Sequence, residues 1–201
     1  MKGMIIMADS RDRRVRKTEE QLTKGLTKLM KEKSIKDITV RELADEVDIN
    51  RSTFYLHYKD IFDMVEKIEN RLTADVISTM EELSRNRINK TTLLEFLTDI
   101  FETIYSNADL CAVMLSKNGD ISFQNKLKEI IYQKTFDIIK ARLCRKASEY
   151  EIRVTSGFFI AGILGIIEIW LSDISAGTPE QMAETAFRLI ENGIHGFNLD
   201  N

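Results

Sequence analysis

Apolar residues recur along this chain three and four places apart, and no stretch shows the strict alternation of a half-buried strand. The first stripe, Leu22, Leu26, Leu29 and Met30, predicts a helix that opens at Thr18 and ends at Lys33 and Ser34. Thr18 suits an N-cap, and Gln21 three places on completes a capping box. A second box, Thr39-Val40-Arg41-Glu42, opens a short helix burying Val40, Leu43, Ala44 and Val47. Asp48, Ile49 and Asn50 make a turn; Asn50 caps a third helix running to about Tyr58, and Asp60 caps a fourth. Short helices joined by so tight a turn have the helix-turn-helix layout.

The fourth helix is expected from about Ile61 into the low eighties, followed by a polar loop over 85–90. A helix over 91–106 lines up Leu93, Leu97, Ile100, Phe101 and Ile104, and a short one lies near 110–115. Lys117-Asn118-Gly119-Asp120 is a turn, and Phe123, Leu127, Ile130, Ile131, Ile138 and Ile139 mark a long helix ending near Arg145. The helix over about 151–172 is apolar nearly all round, which predicts burial on most sides. Within it Gly157, Ala161 and Gly165 form a smooth stripe for the close approach of another helix. Gly177-Thr178-Pro179-Glu180 stops one helix and starts the last, which runs over about 179–197 with Met182, Ala186, Leu189, Ile190, Ile194 and Phe197 on one face. The expectation is an all-α chain: a flexible basic arm over 1–17, a three-helix helix-turn-helix domain over 18–62, and a larger helical domain over 63–201.

Charge sharpens that division. The net charge is only −3, yet through Lys59 the chain carries 14 Lys and Arg against 10 Asp and Glu, and thereafter 15 against 22. A basic front can approach phosphate while an acidic rear stays off it. Cys111 and Cys144 lie far apart with no CxxC and no His pair, so they read as free thiols of a reducing cytoplasm. The apolar opening is too short for a signal peptide. The most apolar segment, 158–171, is shorter than a membrane span and holds Glu168, so a buried helix of a soluble protein is expected. Glu168 fits a helix edge, a pairing across a dimer, or the lining of a ligand cavity. Neither a catalytic grouping nor a phosphate loop nor metal-ligand spacing occurs, and His57 and His195 are far apart; no enzyme, metal or cofactor is expected.

The chemistry concentrates in residues 39–60. A recognition helix needs short polar or basic side chains in its first turn, where base edges are in reach. Arg51, Ser52 and Thr53 supply them: Arg suits guanine through two parallel hydrogen bonds, and Ser and Thr suit several edges or the thymine methyl. One turn on, Tyr55, His57 and Lys59 can hold phosphates, contacts that fix register without reading sequence. Phe54 and Tyr58 face inward against Leu43 and Val47.

This segment resembles the N-terminal signature of the TetR family of bacterial regulators. Thr39, Ala44, Thr53, Phe54, Tyr55, His57 and Tyr58 all fall in register with it. The resemblance implies base contacts at Arg51, Ser52 and Thr53 and phosphate contacts at Thr39, Tyr55, His57 and Lys59. It also implies a homodimer formed through the last two helices, a pseudo-palindromic operator in double-stranded DNA, and repression released by a small-molecule effector. A regulator answering to a protein partner, or to nothing small, and an all-helical enzyme are the alternatives. Three positions depart from the family pattern: Asp48 and Ser52 stand where Gly is common, and Ile61 where a phosphate-binding Lys is common.

Overall fold

The computed structural model describes residues 2–85, 89–143 and 148–195. Among them the chain forms the helices α1 (Lys2–Glu32), α2 (Val40–Glu46), α3 (Arg51–Tyr55), α4 (Ile61–Arg85), α5 (Lys90–Ser106), α6 (Ala108–Met114), α7 (Ile121–Leu143), α8 (Glu149–Ser172) and α9 (Pro179–His195). Short 3-10 turns over Ile35–Asp37 and Ile174–Ala176 complete the regular structure. The expected all-α class is the observed one. Residues 86–88 of the expected loop, Cys144, the helix end near Arg145, and Phe197 lie outside the described residues.

The chain divides into two compact units. The first comprises residues 1–69 and 113–120. Its apolar residues Leu22, Leu26, Met30, Leu43, Phe54 and Met64 are fully buried. Gly25 lets α1 and α2 approach closely: a Cβ there would stand 2.3 Å from Val47 Cγ1 and 3.1 Å from Leu43 Cδ1. The ion pair Lys28–Glu46 links the same two helices, and Lys33, just past the end of α1, pairs with Glu42 of α2. Segment 113–120 joins this unit through Asn118, whose amide donates to Met30 O at 2.9 Å and whose carbonyl accepts from Ile35 N at 3.4 Å. The unit therefore reaches past the boundary expected at residue 62, because Met64, Val65 and Ile68 continue the buried stripe of α4.

Two further differences concern α1 and its opening. The helix runs through the segment expected as an arm and does not begin at Thr18, whose hydroxyl donates back to Arg14 O at 3.0 Å. No Gly or Pro interrupts residues 4–24, so nothing in the local chemistry stops the helix at that point.

The second unit comprises residues 70–112 and 121–201. In it α5 packs on α9, and α8 packs on both α7 and α9. Trp170 anchors its core: Phe101 meets it edge-on at 5.5 Å, Tyr105 stacks at 6.0 Å, and its indole N–H donates to Gly177 O at 3.0 Å. Ser148 and Glu151 form a reciprocal capping box that opens α8. Thr178 and Gln181 cap α9 reciprocally, with Pro179 at its first position. Burial pushes the Cys111 thiol up to about 11, so it stays protonated at neutral pH.

Helix α8 departs from expectation. It is longer than its most apolar segment and, by length and composition alone, could cross a membrane. One side is buried, through Ile152, Ser156, Ile160, Ile167 and Trp170. The other is not: Tyr150, Val154, Phe158, Ala161, Gly162 and Ile169 are exposed, and a Cβ on Gly165 would meet nothing within 4 Å. These residues lie about one or two turns apart and form an unburied stripe. A Cβ on Gly157, by contrast, would stand 3.6 Å from Tyr132 Cε2 of α7, and Glu168 is exposed.

Candidate nucleic-acid interface

The interface is built from the start of α2 to the start of α4. At the entry to α2, Thr39 Oγ1 accepts from Glu42 N at 3.2 Å while Glu42 Oε2 accepts from Thr39 N at 2.9 Å. The Thr39 hydroxyl also donates to Glu42 Oε2 at 2.9 Å, so its one proton is already committed. The Lys33 ammonium, together with the Thr39 donors, holds the Glu42 carboxyl down at about 2. Thr39, expected on a phosphate, is thus placed as the capping residue of α2.

The exit from α2 is a Schellman motif. Ile49 N donates to Ala44 O at 3.0 Å and Asp48 N to Asp45 O at 3.5 Å, with Asp48 left-handed at φ 53°. This is the position where the family pattern favours Gly. Asn50 then caps α3 through its side-chain oxygen, which accepts from Ser52 N at 3.3 Å.

Helix α3 is short, and its register sorts the candidate residues. Phe54 and Tyr58 are buried on the inner side, their rings 5.7 Å apart. Arg51, Ser52 and Tyr55 lie on the exposed side, Tyr55 at 58%, and Thr53 is half-buried between the two. His57 is placed differently from the expected phosphate contact: its side chain is only 8% exposed, and Nδ1 stands 3.6 Å from Glu19 Oε1 of α1. The physical reason is register, since His57 follows Phe54 by three places and shares its inward side.

The corner between α3 and α4 is held by residues that periodicity does not single out. Asp60 caps α4 through Oδ1, which accepts from Asp63 N at 2.8 Å. Asp63 Oδ2 accepts from Lys59 N at 2.9 Å and from the Lys67 ammonium at 3.0 Å. That backbone donor, followed by Lys67, lowers the Asp63 carboxyl below its usual range. Lys67 also donates to His57 O at 3.1 Å and lies 5.1 Å from the centre of the Tyr58 ring. The end of α3 is thereby tied to α4, and the Lys59 side chain is left exposed. Asp63 and Lys67 do carry a signal, the spacing of four that suits an ion pair on a helix. Ile61 is buried and takes no part in the exposed surface.

Among the described residues no group of three His, Cys, Asp or Glu is arranged to hold a metal ion. The exposed side of α3 therefore offers a cation, hydroxyls and a phenol on a rigid support. These groups can donate hydrogen bonds to base edges and phosphates.

Known proteins resemble this chain at several levels. The family described as the transcriptional regulator C-terminal region of TetR-type proteins matches residues 91–192, just over half of the chain. A curated relative, the HTH-type transcriptional regulator YxbF of Bacillus subtilis (strain 168), is 22% identical over 179 residues. That alignment takes in 86% of this chain and 44% of the relative, so the chain spans less than half of the relative's length. Among solved structures, NalD, the secondary repressor of the MexAB-OprM multidrug efflux pump in Pseudomonas aeruginosa, superposes with a TM-score of 0.67 at 14% identity, covering 89% of this chain and 97% of NalD. SmeT, the repressor of the Stenotrophomonas maltophilia multidrug efflux pump SmeDEF, does so in its triclosan complex with a TM-score of 0.69 at 12% identity, covering 88% and 90%.

Proposed function

The chain belongs to the TetR family of transcriptional regulators, and from that premise we propose that it binds a pseudo-palindromic operator as a homodimer and represses until a small molecule binds. The observation that carries this reading is the two-sided register of α3. Phe54 and Tyr58 lock one side to the core, while Arg51, Ser52 and Tyr55 are exposed on the other. Arg51, Ser52 and Thr53 approach base edges, and Tyr55 and Lys59 grip phosphates. Thr39 and His57 act through others: Thr39 fixes the start of α2, and His57 braces α3 on Glu19.

Dimerisation uses the last two helices. The unburied stripe of α8, with Phe158 72% and Ile169 75% exposed, and Leu189 of α9 supply an apolar surface for a second copy. A two-fold pair places its two copies of α3 in successive major grooves, about 34 Å apart. The effector acts in the second unit by binding one dimer geometry better than the other, since equal affinity would shift nothing. SmeT, with triclosan bound, lends this its support. The chain works in the cytoplasm, where its operator is, and carries out no catalysis.

Selection of bound duplexes from a random DNA pool tests the reading. A two-fold-related motif with half-sites about one helical turn apart is the expected result. Recovery of unenriched sequence at low salt overturns it.

A further inference from the structure

Leu56 is the most exposed large apolar residue among those described, at 83%. It follows α3 directly, still in right-handed helical conformation at φ −73° and ψ −20°, with its N–H donating to Thr53 O at 3.2 Å. At 3.6 residues per turn it falls one turn beyond Ser52, on the side of α3 that faces away from Phe54 and Tyr58. The side that carries Arg51, Ser52 and Tyr55 therefore ends in an isobutyl group. Isolated apolar residues on a surface ordinarily need no explanation. Here the exposed residues that share its side of α3, Arg51, Ser52 and Tyr55, carry polar groups, and the register is theirs.

A leucine cannot bond a phosphate, and covering one would strip its water at a cost. Along the floor of the major groove the apolar group that a base offers is the C5-methyl of thymine. Resting on the DNA-binding reading above, we infer that Leu56 is a specificity-determining residue that packs its methyl groups on a thymine methyl in each half-site. The position would thus read thymine over cytosine without a hydrogen bond, one turn beyond the polar contacts of Arg51 and Ser52.

The test uses the full-length protein and the operator recovered by selection, with each thymine replaced in turn by deoxyuridine. This exchange removes one methyl group and leaves every hydrogen-bonding edge intact. One symmetric pair of positions should weaken wild-type binding by about fourfold per half-site, the factor associated with one buried methylene-sized group. The Leu56→Ala variant should bind the thymine operator more weakly by a similar factor, and should no longer distinguish thymine from uracil at that pair. Its melting temperature should match the wild type, since the side chain is exposed. Persistence of the thymine preference in Leu56→Ala, or an equal loss on every duplex, overturns the inference, as does an operator with no thymine whose methyl matters. Failure of the wild type to select any sequence refutes the DNA-binding reading instead, so the two failures are distinguishable.

Discussion

Asp48 holds a backbone angle that most side chains resist, with φ at 53°, and it does so where α2 must turn into α3. Asp tolerates the left-handed region better than residues branched at Cβ. Replacing it with Val should destabilise the first unit by about 1–2 kcal/mol, while Asn should be close to neutral. Chemical denaturation of both variants checks this; equal stability for all three proteins would deny strain at the turn. Arg51 belongs to the same scale. Arg51→Ala should cost about 1–3 kcal/mol on the preferred operator and relax selectivity at one base pair, read from binding to a panel of single-position variants. A uniform loss across the panel would move Arg51 to phosphate. The positions of such residues were legible in the sequence because they follow from a local pattern: Asp48 stands at the turn, and Arg51 is exposed in the first turn after the Asn50 cap. His57 was expected on phosphate although its register, three places after Phe54, already pointed to the inner side, where Glu19 of α1 comes within 3.6 Å of it.

Helices begin where side chains replace missing backbone partners, and the box at Thr39 and the helix start at Thr178 were readable for that reason. The box at Ser148 obeys the same rule, and starting the helix at Glu151 overlooks it. The supposed start at Thr18 shows the limit: the right residues for a cap remain inside a helix when nothing upstream breaks it. At the opening of α2 the cap also titrates. Glu42 is depressed to about 2 by Lys33 and Thr39, against an ordinary value near 4.3 for a free Glu. Between those values the unfolded chain binds the proton that the folded chain refuses, so stability falls as the solution is acidified through this window. The contribution is fully present above about pH 4.5 and vanishes as pH drops through about 2. Glu42→Gln keeps a capping side chain but removes this charge, so its denaturation midpoint should vary less with pH over the same range. An unchanged slope would show that Glu42 is not the group responsible.

At the scale of the molecule, composition foretold a basic front and an acidic rear, and periodicity foretold helices throughout. Neither could say what an apolar helix packs against. The near-continuous apolar pattern of α8 implies burial on most sides, yet the described residues of its own chain cover only one of them. A hydrophobic pattern records that a surface leaves water without recording whether the same chain or another copy covers it. If a second copy does, Phe158 is buried twice in a two-fold interface, once from each subunit. Burying one such side chain contributes about 1.5–3 kcal/mol, so its loss from both subunits weakens association by about a hundredfold or more. Glu at this position would add the cost of burying a carboxylate without a partner. Phe158→Glu should therefore sediment as a monomer and bind a full operator no better than a single half-site. Ile121→Glu introduces the same charge at an exposed apolar residue of α7 that is not part of the α8 stripe, and should remain dimeric. Monomers from both variants would mean that any added charge disrupts the assembly. Dimers from both would place the interface elsewhere than on α8.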